Sequence, residues 1–335
     1  MARAKICLLF AGGTIGMVKN PGTGVLEPAT DSADIIRDFP EIQKHIQLDF
    51  KMVVNIDSSN MTPDIWTEIA KKIHKYYDKY DGFVVAQGTD TMAYTASALS
   101  FALQNLSKPV VFTGSLIPLT DIASDGRNNL IYACLTAAMD IAEVSIAFAN
   151  KIIRGNRAKK YHESFVDVFH SPNYPYLGEL GRPTVLHSWR KKRRKRILKF
   201  TPDFESNVSL LKIFPGFHPD ILESAMSRGT KGIVLEGFGP GNVPFLENSI
   251  IPQIEKAIKQ NIPVVISTQL EKGKTNLHAY EAGFKAAKVG AISAKDMTSE
   301  AALTKLMWAL AKTNKLPEIK RIMESNLAGE LEDEI

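Results

Sequence analysis

Residues 83–103 read FVVAQGTDTMAYTASALSFAL, and how they fold decides the architecture of the chain. Phe83-Val84-Val85-Ala86 is a short apolar run of the kind that forms a strand buried on both faces. Gln87-Gly88 interrupts it and Thr89-Asp90-Thr91 follows. From Met92 onward Ala93, Ala96, Leu99 and Leu103 recur at helical spacing. A strand that turns through glycine into a helix aims hydroxyls, a carboxylate and backbone N–H groups beyond the strand's carboxyl end. In an open parallel sheet that is where ligands bind. The plainer reading is that Thr89 or Asp90 caps the helix, a stabilisation of roughly 0.5–2 kcal/mol. A second strand–glycine–threonine turn, at the start of the chain, shifts the balance towards a binding site.

That second turn is Ala11-Gly12-Gly13-Thr14-Ile15-Gly16, directly after the apolar strand Ala4–Phe10. It is neither a P-loop, since no GK[ST] follows, nor a GxGxxG dinucleotide turn. Lys19–Pro28, rich in Gly and Pro, reads as a mobile loop, and Asp31–Phe39 as a short helix. Phe50–Ile56 is a strand that ends in Asp57-Ser58-Ser59-Asn60-Met61-Thr62-Pro63, before a helix over 63–77. Strands follow at 109–113 and 144–149, separated by the loop Thr120–Asn129 and a helix over 130–139. Alternation of apolar strands with amphipathic helices predicts a parallel α/β sheet. Lys151–Asn156 reads as one arm of a hairpin.

With 335 residues the chain exceeds the size at which single cores stop growing, so two domains are expected. The boundary is marked by Arg190–Arg196, RKKRRKR. Removing its seven charges from the formal +5 leaves the rest of the chain at −2. The run has no interleaved aromatics, so a solvated linker is expected rather than a nucleic-acid site. The expected divisions are 1–189, a basic linker over 190–209, and a smaller α/β domain over 210–335. The last has strands at 211–214, 232–236 and 263–268, and helices at 219–227, 246–260, 299–311 and 316–327. Cys7 and Cys134 read as buried small hydrophobes, the histidines lack ligand spacing, and no metal site or cofactor is expected. No run of apolar residues is long enough to span a bilayer and no secretory leader is visible, so a cytoplasmic location is expected.

AGGTIG at 11–16, DSSNMTP at 57–63, QGTDTMAYTA at 87–96, GRNN at 126–129 and GNRAKK at 155–160 together resemble the bacterial-type L-asparaginases, most closely their cytoplasmic (type I) branch. The likeness continues through GPGN at 239–242 and DMTSEAALTKL at 296–306. It implies a flavodoxin-like N-terminal domain followed by a smaller α/β domain. The implied reaction is hydrolysis of L-asparagine to L-aspartate and ammonia. Thr14 is then the implied nucleophile, and Thr89, Lys160 and Asp90 a supporting triad. Asp57, Ser58, Ser59 and Gly88 match the grip on the amino acid. Of the adjacent Lys159 and Lys160, the family's spacing after Arg157 selects Lys160.

The resemblance also implies a homodimer or homotetramer, with Asn242 and the 273–281 loop offered to a neighbouring site. Two departures stand out. The family's lid tyrosine is missing near Val25, and the arginine and cysteine of a second, activating asparagine site correspond to Glu236 and Leu270. That site is therefore expected to be absent. Two alternatives remain. One is the D-type component of an archaeal glutamyl-tRNA amidotransferase, which carries an extra N-terminal domain where this chain starts at once on its first strand. The other is a non-catalytic amino-acid binding protein.

Overall fold

A computed structural model describes residues 3–28 and 40–332, so the helix expected over Asp31–Phe39 lies outside the described residues. The chain divides into two compact units, Met1–Pro202 and Asp203–Ile335, and the Arg190–Arg196 run falls inside the first.

The first unit is built on an eight-stranded sheet. Ala4–Gly12 is hydrogen-bonded in parallel to Ile46–Ile56 on one side and to Gly82–Ala86 on the other. Val110–Thr113 and Val144–Phe148 continue the parallel run beyond Gly82–Ala86. In chain order this is the 2-1-3-4-5 arrangement of doubly wound folds, whose switch point lies between the first and third strands. Lys151–Arg154 folds back antiparallel on Val144–Phe148, as the expected hairpin requires, and Gly178–Glu179 and Val185–Leu186 extend that edge. The sheet is thus mixed at one edge and parallel at its centre.

The apolar runs form central strands because both faces are covered. Every residue from Ile6 to Phe10 and from Phe83 to Ala86 is fully buried. On one face Ile6, Leu8, Phe10, Val84 and Val111 pack with Leu130, Ala133, Cys134 and Ala137 of the helix Gly126–Ala138. Burial pushes the thiols of Cys7 and Cys134 up to about 12, which leaves them unreactive.

Several boundaries differ from the sequence reading for local reasons. The expected mobile loop at 19–28 is largely a hairpin, Met17–Lys19 against Leu26–Pro28, with Asn20 Oδ1 accepting from the N–H groups of Gly22 and Thr23 at its turn. The strand before Asp57 begins at Ile46 rather than Phe50. The helix expected from Leu130 begins at Gly126. Asp125 precedes it and accepts hydrogen bonds from the N–H groups of Leu116 and Ile117 and from Asn129 Nδ2, which fixes the loop that feeds the helix.

The second unit holds a four-stranded parallel sheet in the order Val208–Lys212, Gly232–Gly237, Val264–Thr268, Ile292–Ser293. Apolar clusters lie on both faces, one around Ile233, Leu235, Val264 and Ile266, the other around Val234, Val265, Ala301 and Leu306. The helix expected over 246–260 is confined to Ile251–Lys259, with Pro252 in its first turn. The first strand sits three residues earlier than expected. The helix Glu281–Lys288 had no counterpart in the sequence reading, because Gly283 weakens its helical pattern. Glycine is needed there: a Cβ would fall 2.8 Å from Leu277 O.

Candidate active site

The site grows from the carboxyl ends of the first three strands, at the switch point. Gly13 has φ +90° and follows Gly12, at φ +92°, a conformation that L side chains rarely adopt. The N–H of Gly13 donates to Ile56 O at 3.0 Å, tying the first turn to the end of the Ile46–Ile56 strand. On its other side a Cβ at Gly13 would collide with Gly88 N and Cα, so the two glycine turns touch backbone to backbone. Thr14 and Thr89 each come immediately after this contact. Thr14 starts a short 3-10 turn, Thr14–Gly16, and is half-buried.

The end of the Ile46–Ile56 strand is also joined to the Gly88 turn, through Ser58. That side chain is buried, and a Cβ at Gly88 would lie 2.6 Å from Ser58 Oγ. Thr91 Oγ1 donates to Ser58 O at 2.9 Å, and Gln87 Nε2 donates to Thr95 Oγ1 at 3.0 Å and Thr91 Oγ1 at 3.3 Å. Thr91 and Gln87 therefore brace the turn. Sequence reasoning missed them as positioning residues, although both lie inside the QGTDT stretch.

Thr91 occupies the N-cap position of the helix Met92–Ala102 without a side-chain capping bond. The side chains of Thr89 and Asp90 turn instead to Lys160. Lys160 Nζ donates to Thr89 Oγ1 at 2.8 Å and to Asp90 Oδ1 at 2.5 Å. Thr89 is buried, the lysine side chain is 17% exposed, and the aspartate side chain is 63% exposed. Lys159 and Lys160 form a two-residue strand paired with Phe169–His170, in which neighbours point to opposite faces. Only Lys160 makes this contact.

Asp57 is exposed at the end of its strand and caps the turn Ser58–Asn60. Ser59 holds its carboxyl below the ordinary carboxylate range, first through its hydroxyl and then through its backbone N–H, which is 2.8 Å from Asp57 Oδ1. The geometry brings Thr14, Gly88 and Thr89 together at one glycine contact, with Ser58 packed against Gly88, Asp57 and Ser59 flanking it, and Lys160 and Asp90 bonded to the Thr89 turn.

Two further motifs support the frame. Asn129 Nδ2 donates to Gly114 O at 3.1 Å while its Oδ1 accepts from Ala149 N at 3.2 Å, so GRNN bridges two strand ends. In GNRAKK, Gly155, Asn156 and Arg157 are buried ahead of Lys160, and a Cβ at Gly155 would meet Val144 and Ala96. Val25, near the position of the missing lid tyrosine, is exposed at the end of the hairpin turn. Glu236 accepts a hydrogen bond from Ser299 Oγ at 2.5 Å and Leu270 is exposed. Among the described residues no group of three or more His, Cys, Asp or Glu side chains is placed to hold a metal ion. None of their helices is long and apolar enough to cross a membrane.

Residues 5–193 match the family described as "Asparaginase, N-terminal", and residues 207–323 the "Glutaminase/Asparaginase C-terminal domain". The chain is 38% identical to the L-asparaginase of Thermococcus kodakarensis over 98% of its own length and 99% of that protein. It is equally identical to L-asparaginase 1 of Escherichia coli K12, over 99% of both chains. It is 37% identical to the D-type component of the glutamyl-tRNA(Gln) amidotransferase of Aeropyrum pernix, over 99% of this chain and 80% of that one. Among solved structures, the Thermococcus enzyme superposes with a TM-score of 0.91 at 36% identity, covering 98% of this chain and 100% of the other. L-asparaginase I from Vibrio cholerae gives 0.89 at 37%, covering 99% and 100%. A probable cytoplasmic L-asparaginase from Campylobacter jejuni gives 0.80 at 28%, covering 96% and 99%. With likeness of this depth running through both matched regions, the chain belongs to the asparaginase family of amidohydrolases.

Proposed function

We propose that this protein is an L-asparaginase, converting L-asparagine and water to L-aspartate and ammonia through an acyl-enzyme on Thr14. The observation that carries the reading is the Lys160 ammonium bonded at once to Thr89 and Asp90, beside the Gly13–Gly88 contact from which Thr14 emerges. A threonine hydroxyl is a weak nucleophile unless its proton is drawn away. In the proposed sequence Thr14 Oγ attacks the side-chain amide carbon, and its proton leaves with the nitrogen as ammonia. The C–N bond breaks and an ester to Thr14 remains. Water then adds to the ester carbon, the Thr14 oxygen departs and regains a proton, and aspartate is released. Lys160 stabilises the negative charge that develops on Thr89 Oγ1 or on a water beside it, and Asp90 fixes the ammonium. Backbone N–H groups of the Gly88–Thr89 turn serve the carbonyl oxygen as it becomes an oxyanion.

Asp57 suits the α-ammonium of the amino acid, since Ser59 favours its ionised form. Ser58 offers a hydroxyl donor to the α-carboxylate. Ser59, whose hydroxyl and N–H are bonded to Asp57, positions the Asp57 carboxylate, and Gly88 keeps the turn close to Ser58 and Gly13. Glutamine differs by one methylene, a difference usually worth only about 1–3 kcal/mol of discrimination, so it is the competing amide to assay beside asparagine. We place the enzyme in the cytoplasm as a homodimer or homotetramer, with small amides as its substrates.

The amidotransferase relatives favour one other reading, in which ammonia is released for a tRNA-bound acceptor. Ammonia release from free asparagine, measured without tRNA or any partner protein, separates the two. Wild type is expected to turn over asparagine. Thr14→Ala, Thr89→Val and Lys160→Met are each expected to lose orders of magnitude while remaining folded. Dependence of wild-type turnover on tRNA would overturn the asparaginase reading.

A further inference from the structure

The Arg190–Arg196 run is fastened to the first unit in a way that sorts its side chains into two sets. Arg190 Nε donates to Asp140 O at 2.8 Å, and its Nη2 reaches Asp140 Oδ2 at 3.0 Å. Arg193 sits at the end of the helix Gly126–Ala138, donating to Met139 O at 2.7 Å and Ala137 O at 2.9 Å, where a cation complements the helix dipole. The backbone is held too. The N–H of Lys191 donates to Glu143 Oε1 and that of Arg193 to Asp140 Oδ1, while Lys191 O accepts from Ala142 N. Downstream, Lys199–Phe200 pairs with Leu103–Gln104.

Between these anchors Lys192, Arg194, Lys195 and Arg196 are exposed, and none makes an ion pair or hydrogen bond among the described residues. Four cations in five residues thus stand in solvent on a backbone pinned at both ends. The rest of the chain, run excluded, is slightly acidic. Immediately upstream, Trp189 is 42% exposed. Its ring is fixed by stacking on His187 (centroids 4.6 Å apart, planes at 9°) and by Nε1 donating to Tyr176 O at 2.8 Å.

The sequence alone reads this run as a solvated linker without aromatics, but its backbone is pinned and the indole of Trp189, just upstream, is fixed and half-exposed. We propose that this basic ridge binds single-stranded nucleic acid. Residues 192–196 can span no more than about 14 Å of backbone, and the long arginine and lysine side chains at either end extend that reach to a short run of consecutive phosphates on one strand. Guanidinium forks suit phosphate oxygens, and a fixed, half-exposed indole offers a face to a base. A surface that read acidic lipid would place such a cluster on an amphipathic helix or beside a membrane span. Here it lies on a segment without regular secondary structure.

The test is fluorescence anisotropy of a labelled mixed-sequence oligoribonucleotide with the intact protein, over a range of salt. Wild type is expected to bind with a slope of log K against log[salt] of about −3, four contacts at about −0.7 each. The quadruple variant Lys192→Gln, Arg194→Gln, Lys195→Gln, Arg196→Gln should bind at least tenfold more weakly with a nearly flat slope. Trp189→Ala should weaken binding about tenfold and leave the slope unchanged. Asparagine turnover should be the same in wild type and the quadruple variant, which keeps the outcome separate from the proposed catalysis and reports correct folding. Absence of binding at low salt, equal binding by the quadruple variant, or insensitivity to Trp189→Ala would overturn the proposal. So would tighter binding to mixed phosphatidylserine–phosphatidylcholine vesicles than to the oligonucleotide.

Discussion

Gly13 and Gly88, 75 residues apart in sequence, meet with no room for a side chain on either. Their contact brings the turns that carry Thr14 and Thr89 together from different strands, so it should be the least forgiving point of the site. Gly13→Ala combines a positive φ with a collision against backbone, which nothing nearby can relieve. It is expected to cost about 3 kcal/mol in urea unfolding and to abolish turnover. At Gly88→Ala the nearest obstacle is the Ser58 side chain, 2.6 Å away at Oγ. Adding Ser58→Gly should recover about 1 kcal/mol or more of the lost stability, a coupling that a double-mutant cycle reads directly.

Lys160→Met should lower turnover by about 10²–10⁴-fold, the range for a lost proton-handling group, while Lys159→Met stays within about threefold of wild type. Steady-state ammonia release on both variants checks this. Normal turnover in Lys160→Met with a loss in Lys159→Met would mean the contact with Thr89 is incidental to the chemistry.

Asp57 carries a pH prediction. Its native pKa lies below its unfolded value because Ser59 hydrogen-bonds the ionised form. The associated stabilisation is complete above the unfolded pKa and is lost as pH falls through the native one. Ser59→Ala removes the largest cause, so the Asp57 pKa should rise and the acid limb of KM for asparagine should move to higher pH. A KM–pH profile with carboxyl NMR titration measures both. An unmoved acid limb would detach Asp57 from substrate binding.

Lys305 and Glu330 form a fully buried ion pair in the second unit, with Nζ 2.6 Å from Oε1. Lys305 also donates to Met323 O and Ser325 O, and Glu330 accepts from the N–H groups of Leu327 and Ala328. Burial alone would raise the Glu330 pKa, but Lys305 and those N–H donors outweigh it and the net direction is down. Lys305→Met should cost about 3–5 kcal/mol at neutral pH by stranding a buried carboxylate. Glu330→Gln introduced with it should recover part of that loss. Urea unfolding of the single and double variants decides. The wild-type contribution should be lost as pH falls through the native Glu330 pKa.

The central strands were legible because burial on both faces leaves continuous apolar runs such as Ile6–Phe10 and Phe83–Ala86. The turns were legible because Gly12-Gly13 and Gln87-Gly88 break those runs abruptly. What stayed hidden was short or context-dependent: the Met17–Pro28 hairpin, the helix around Gly283, and the helix start at Gly126, which depends on Asp125 holding a preceding loop. Such features draw their stability from contacts far along the chain, so no local pattern announces them.

By itself the sequence determined which residues could do chemistry, because hydroxyls, a carboxylate and an ammonium at strand ends are local facts. The tertiary structure alone decided that the first and third strands are neighbours and that Gly13 rests on Gly88; it also put Lys160, the lysine the family's spacing selects, in contact with Thr89. Strand order and the facing of side chains come from packing between segments distant in sequence, and that energy is written in no single stretch of the chain.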